Sequence, residues 1–141
     1  MKVVSIHPTL IQKKESLPLF STTVSAGFPS PADDYIDKKI DLNEALIKHP
    51  AATFFVRVQG DSMVDAGILN DDLLVVDRSL TVKKAQIIVA VVDGEFTVKR
   101  IKRINKKLFL CPENKKYKPL EIVEGMEFQV WGVVTYAIHT F

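Results

Sequence analysis

The stretch Gln86-Ile87-Ile88-Val89-Ala90-Val91-Val92-Asp93-Gly94-Glu95-Phe96-Thr97-Val98-Lys99-Arg100-Ile101-Lys102 is two strand-like runs joined by Asp93-Gly94. That dipeptide is the strongest short hairpin signal in the chain, because a two-residue type I′ loop needs positive φ at both central positions. Such a loop pairs Val92 with Glu95, and the continued register places Ile88 opposite Lys99. Strand alternation puts Thr97 and Ile101 on the same face as Lys99, so its amine is expected among Ile88, Thr97 and Ile101. A free lysine titrates near ~10.4, and apolar burial lowers that by up to ~3–5 units. Lys99 so placed can become a base. Arg100 points to the other face, and a guanidinium does not give up its proton. The plainer reading of Lys99 is a solvated edge residue that discourages aggregation.

Upstream, the run Thr53 to Val58 leads directly into Gly60-Asp61-Ser62-Met63. A serine hydroxyl is a weak nucleophile until a neighbouring base takes its proton, and a Ser-Lys pair is a recognised form of that arrangement. Alone, Gly-Asp-Ser-Met reads more simply as a turn in which Asp61 and Ser62 bond their own backbone. The three histidines, His7, His49 and His139, share no ligand spacing, so neither a metal site nor a histidine-based triad is expected. His49 reads as a capping cation at a helix end. No phosphate-binding glycine loop occurs, and no cofactor is expected.

Further strands are expected over Asp72 to Asp77, Lys107 to Cys111 and Phe128 to His139, with a turn near Asn105 and a polar loop from Pro112 to Pro119. Asp41-Leu42-Asn43-Glu44-Ala45-Leu46-Ile47-Lys48-His49-Pro50 reads as a short helix, capped by Asp41 with Glu44 three residues on. Its Leu42, Ala45 and Leu46 would form one buried face. The fold class is therefore mainly β, a compact body with one or two short helices. Residues 1–34 read as an extended arm, with Pro8, Pro18, Pro29 and Pro31 among serines and threonines and no persistent period. The body is expected over residues 35–141.

At 141 residues with 47% apolar content, the chain can bury a full core in one domain. A net charge of +2 is too small to make the whole molecule a polyanion binder. The local run Lys99 to Lys107 is basic, read as a soluble hairpin edge or as a non-specific contact for phosphate or an acidic partner. The single cysteine, Cys111, permits no internal disulfide and reads as a small buried hydrophobe. The longest apolar run, Ile87 to Val92, is far short of the ~20 residues that span a bilayer. A soluble, cytoplasmic protein without membrane contact is expected.

Several ordered motifs together resemble the LexA-like self-cleaving Ser-Lys peptidases, and within them the UmuD-like proteins of SOS mutagenesis. They are Ala26-Gly27-Phe28-Pro29-Ser30-Pro31-Ala32-Asp33-Asp34-Tyr35, Ile40-Asp41-Leu42-Asn43, Gly60-Asp61-Ser62-Met63 with Gly67-Ile68, and Asp71-Asp72-Leu73-Leu74-Val75-Val76-Asp77. Val92-Asp93-Gly94-Glu95-Phe96-Thr97-Val98-Lys99, Pro112-Glu113-Asn114 and Trp131-Gly132-Val133-Val134 complete the set. The resemblance implies a β-rich peptidase body that forms a homodimer, with Ser62 as nucleophile, Lys99 as general base and Ala26-Gly27 as the cleaved pair. The amides of Asp61 and Ser62 are the expected oxyanion donors. It further implies cleavage stimulated by a RecA filament on single-stranded DNA, after which the trimmed dimer serves a UmuC-like Y-family polymerase of the polymerase V type. The stretch before Ala26 is too short for a helix-turn-helix domain, so a repressor with sequence-specific DNA binding is not expected. Leu17-Pro18-Leu19-Phe20 resembles short motifs that dock on the sliding clamp, or else is an apolar patch folding back on the body. The alternative function is an unprocessed interaction module of the same fold that regulates a polymerase by binding alone.

Overall fold

A computed structural model describes residues 1–9, 16–20 and 36–141. The chain divides into two units, one made of Met1–Thr9 with His49–Phe141, the other of Leu10–Lys48.

In the larger unit the strands are β1 (Lys2–Pro8), β4 (Thr53–Gln59), β5 (Leu73–Asp77), β6 (Ile87–Val92), β7 (Glu95–Ile104), β8 (Lys107–Cys111), β9 (Leu120–Ile122) and β10 (Phe128–Ile138). They form one antiparallel sheet in the order β1-β4-β5-β10-β6-β7-β8-β9, and β1 also meets β7, so six strands close into a barrel-like body. The β6–β7 hairpin has the expected register, Val92 with Glu95 and Ile88 with Lys99, because Asp93 and Gly94 both take positive φ. The β7–β8 turn is built the same way on Asn105 and Lys106. Strand β7 pairs with β8 from Arg100 onward and meets β1 at Thr97. Lys99 therefore lies on β7 where one neighbouring strand ends and the other begins.

Two apolar clusters explain the unbroken run in β6. Val89 faces a core that includes Val56, Val58, Met63, Leu74, Val76 and Val98. Ile88 and Ala90 face a second cluster with Leu110 and Val133. A strand covered on both faces reads as continuous rather than alternating. Trp131 stands at a register shift of β10 against β6 and packs on Phe54 and Phe96, with the Arg78 guanidinium 4.6 Å above its ring. Next to it, a Cβ on Gly132 would lie 2.6 Å from Val76 Cγ1, and Val76 is fully buried. Gly132→Ala is therefore expected to cost about 1–3 kcal/mol through overpacking. A lowered midpoint in urea denaturation checks this.

The smaller unit contains β2 (Ser16–Phe20) and β3 (Ile36–Asp41), paired antiparallel, followed by α1 (Leu42–Leu46). Asp41 caps α1 by accepting from the Asn43 amide at 2.9 Å. The helix is one short turn and a half rather than a run to Pro50, and its C-cap, Ile47, is already extended. Leu42 is 56% exposed while Ile47 is buried, so the apolar face expected from Leu42, Ala45 and Leu46 is not the one formed. So short a helix lacks the turns over which a period of 3.6 can select a face. His49 does not cap α1. Its Nδ1 lies 2.6 Å from Asp77 Oδ2 in the larger unit, and Pro50–Ala52 forms a separate 3-10 turn.

Residues 2–8 are a strand, although no strand period persists along residues 1–34. Three of the five residues Lys2-Val3-Val4-Ser5-Ile6 are β-branched, and pairing with β4 supplies the order that so short a run alone does not.

Candidate active site

Ser62 sits in the turn that leaves β4. Gly60 opens this turn at φ +106, a conformation natural only to glycine, and its amide donates to Asn70 Oδ1 at 2.8 Å. The following Met63 is fully buried, which pins the turn to the core. The loop after β8 closes over it. The Glu113 amide donates to the Ser62 carbonyl at 2.8 Å, the Asp65 amide donates to the Glu113 carbonyl at 2.9 Å, and Asn114 Nδ2 donates to the Asp61 carbonyl at 2.8 Å. The Tyr117 hydroxyl donates to the Asp61 carboxylate, which holds that carboxyl below its usual range and pushes the phenol up.

Lys99 reaches this turn from β7. Its Nζ lies 3.1 Å from Ser62 Oγ, 3.1 Å from Thr97 Oγ1 and 3.1 Å from the Val98 carbonyl. Burial lowers its pKa from the ordinary lysine value, against a hydrogen bond to the chain's α-amino group that raises it. Arg100, on the opposite face, is engaged by Glu113 Oε1 and the Ala85 carbonyl. A serine oxygen within hydrogen-bond reach of a partly desolvated amine is an arrangement able to generate an alkoxide-like nucleophile.

The sequence-predicted residues Ser62 and Lys99 are thus brought together. Ala26 and Gly27 lie outside the described residues. Among the described residues no backbone carbonyl pairs with the Asp61 or Ser62 amide, the Asp61 amide being bonded to its own carboxylate, and no group of three or more His, Cys, Asp or Glu side chains is placed to hold a metal. Cys111 is buried, and burial pushes its thiol up. No helix among the described residues is long and apolar enough to cross a membrane.

One contact has no local signal in the sequence. The Met1 α-amino nitrogen donates to Ser62 Oγ at 2.5 Å, and the Met1 carbonyl accepts from the Val98 amide at 3.1 Å. Burial foremost, then the hydrogen bond and charge of Lys99, push this amine down to about 5.

The family model described as Peptidase S24-like matches residues 18–135. Protein SamA of Salmonella typhimurium is 45% identical over 126 residues, covering 89% of this chain and 87% of its own. Protein MucA of Escherichia coli is 41% identical over 139 residues, covering 98% and 94%. The LexA repressor of Photorhabdus laumondii is 42% identical over 113 residues, or 80% of this chain, which spans about half (55%) of that repressor's length. The match takes in β4, the Ser62 turn and β7 together, and on that extent the chain belongs to the Peptidase S24-like family.

Proposed function

We propose that this protein is a self-cleaving serine peptidase whose substrate is its own Ala26-Gly27 bond. The observation that carries the reading is the 3.1 Å separation of Ser62 Oγ and Lys99 Nζ within an S24-like body. Lys99, in its neutral form, takes the Ser62 hydroxyl proton while Oγ attacks the Ala26 carbonyl carbon. The amides of Asp61 and Ser62 hold the developing oxyanion. The bond to Gly27 nitrogen then breaks, and Lys99 returns the proton to that leaving amine. Water hydrolyses the remaining Ser62 ester and frees the Ala26 carboxyl. The pairing of β2 with β3 supports the reading, since these strands bracket residues 21–35 and so gather the ends of the segment to be cut. Holding that segment beside the pair replaces high-affinity substrate binding by proximity.

In the wider role that the resemblance supports, the cut is an activation step in the cytoplasm. A RecA filament on single-stranded DNA promotes it, and the trimmed homodimer is the accessory subunit of a UmuC-like Y-family polymerase in lesion bypass. The clamp-docking reading of Leu17-Pro18-Leu19-Phe20 falls on β2, where Leu17 is 55% exposed.

Incubation of the purified chain at alkaline pH, or with RecA, ATP and single-stranded DNA, is expected to yield fragments 1–26 and 27–141 by intact mass. An intact chain under both conditions overturns the reading and leaves the unprocessed interaction module.

A further inference from the structure

We propose that β1 is an intramolecular plug of the Ser62–Lys99 site, which must withdraw before the chain's own cleavage segment can be attacked. The inference rests on the self-cleaving reading above and adds a step that precedes the chemistry.

The first argument is occupancy. An attacking hydroxyl needs its target carbon within about 3–3.5 Å. The Met1 nitrogen already stands 2.5 Å from Ser62 Oγ, and both Met1 and Ser62 are buried. Lys99 Nζ stands 3.1 Å from the same oxygen and hydrogen-bonds the Met1 amine, so the buried oxygen carries two adjacent nitrogen neighbours. A carbonyl carbon cannot take the position of the Met1 nitrogen while Met1 remains.

The second argument is how the plug is held. β1 lies between the strand that leads to Ser62 and the strand that carries Lys99. Its ladder with β4 runs from Lys2 opposite Gln59 to Pro8 opposite Phe54. On the other side, the Met1 carbonyl accepts from the Val98 amide at 3.1 Å and from Thr97 Oγ1 at 3.3 Å. Met1 is part of the apolar core, and Val3 and Ile6 pack against it. These are the contacts an added substrate strand would make, main-chain bonds for affinity and alternate side chains in pockets. A cavity of about 910 Å³ opens beside Lys99, and Met1, Lys2 and Val3 form part of its wall, so departure of β1 would widen it toward the serine.

The third argument concerns charge. A permanently charged ammonium buried beside Lys99 would be repelled, but an amine held at about 5 is neutral at pH 7 and sits there without that cost. The plug and the bond to be cut belong to one chain, so the plug is present at a high effective concentration. The resting protein is then silent, and any partner that favours the withdrawn form accelerates cleavage by shifting that population.

A lock across the first β1–β4 pair tests this without deleting core residues. Lys2 and Gln59 are directly opposed and both exposed, and opposed antiparallel residues have Cα atoms about 4.5–5.5 Å apart, within disulfide range. In the full chain carrying Lys2→Cys and Gln59→Cys, the oxidised form is expected to cleave Ala26-Gly27 at least about tenfold more slowly than the same protein reduced. Measurable cleavage at equal rates in the two forms overturns the plug and leaves the self-cleaving reading standing. A small phosphonofluoridate supplies a readout independent of self-cleavage, since Ser62 Oγ displaces fluoride to form a P–O bond. Faster labelling of Ser62 in the reduced form supports the plug even where no form cleaves itself, an outcome in which the self-cleaving reading alone fails. Labelling equal in both forms, including none in either, overturns the plug.

Discussion

Ser62→Ala and Lys99→Ala are each expected to slow release of the 27–141 fragment by at least about 10³-fold, because the members of a catalytic unit lose nearly the whole effect one at a time. Lys99→Arg should fail as well. Its guanidinium keeps the positive charge near Ser62 Oγ, yet it stays protonated and cannot accept the hydroxyl proton. An arginine variant that retained activity would show that the cation, not the base, matters.

The pH profile of the unaltered chain separates the same possibilities. Only neutral Lys99 accepts a proton, and burial holds its pKa below the ordinary value. The single-turnover rate should therefore rise with pH and level off before ~10.4, the titration point of a free lysine. Stability carries the linked signature. Between the lowered folded pKa and ~10.4 the unfolded chain binds the proton that the folded chain has released. In that window this group's contribution to stability rises with pH, and it is lost as pH falls through the folded pKa. Lys99→Ala should remove that component of the unfolding profile together with the activity.

The second large effect is expected at Met63→Ala. Met63 is fully buried in the core cluster with Val56, Val58 and Leu74. Its carbonyl also accepts from the Ala66 amide at 3.0 Å and the Ile68 amide at 3.3 Å. Truncation removes buried methylenes and leaves a cavity, at about 2–5 kcal/mol, a large share of the ~5–15 kcal/mol that holds a domain folded. The residue before it is Ser62, so slack in the turn moves Oγ relative to Lys99 Nζ, and about 1 Å of misplacement costs on the order of 10²-fold in rate. The neighbour Val64 is 39% exposed, and Val64→Ala should stay within about 0.5 kcal/mol. Urea midpoints of the two variants, measured beside their cleavage rates, check both halves. A Met63→Ala protein with the parental midpoint would mean that the core does not anchor the Ser62 turn.

Much of this site was legible in the chain before any coordinates. Asp93-Gly94 specifies a two-residue turn, and a two-residue turn has one register. The pairing of Ile88 with Lys99 and the sheltered position of its amine followed from that local chemistry. Asp41 as a cap, the Asn105 turn and the β8 bounds were readable for the same reason, since each depends on residues within a few positions of one another. The length of α1 and the exposure of Leu42 were not, because a helix of so few residues takes its face from what surrounds it.

What only the tertiary structure decided lies at long sequence separation. The sequence by itself determined that Ser62 follows a strand and that Lys99 lies on a hairpin. It took closure of the sheet to bring their side chains to 3.1 Å. The same closure brought Glu113 and Asn114 over the Ser62 turn, set His49 against Asp77, and left no room for a side chain at Gly132. Above all it seated β1 between β4 and β7, with Met1 on the serine. Local patterns carry no signal for such pairings, because strand partners are selected by apolar burial and edge hydrogen bonds across the whole sheet rather than by neighbours along the chain.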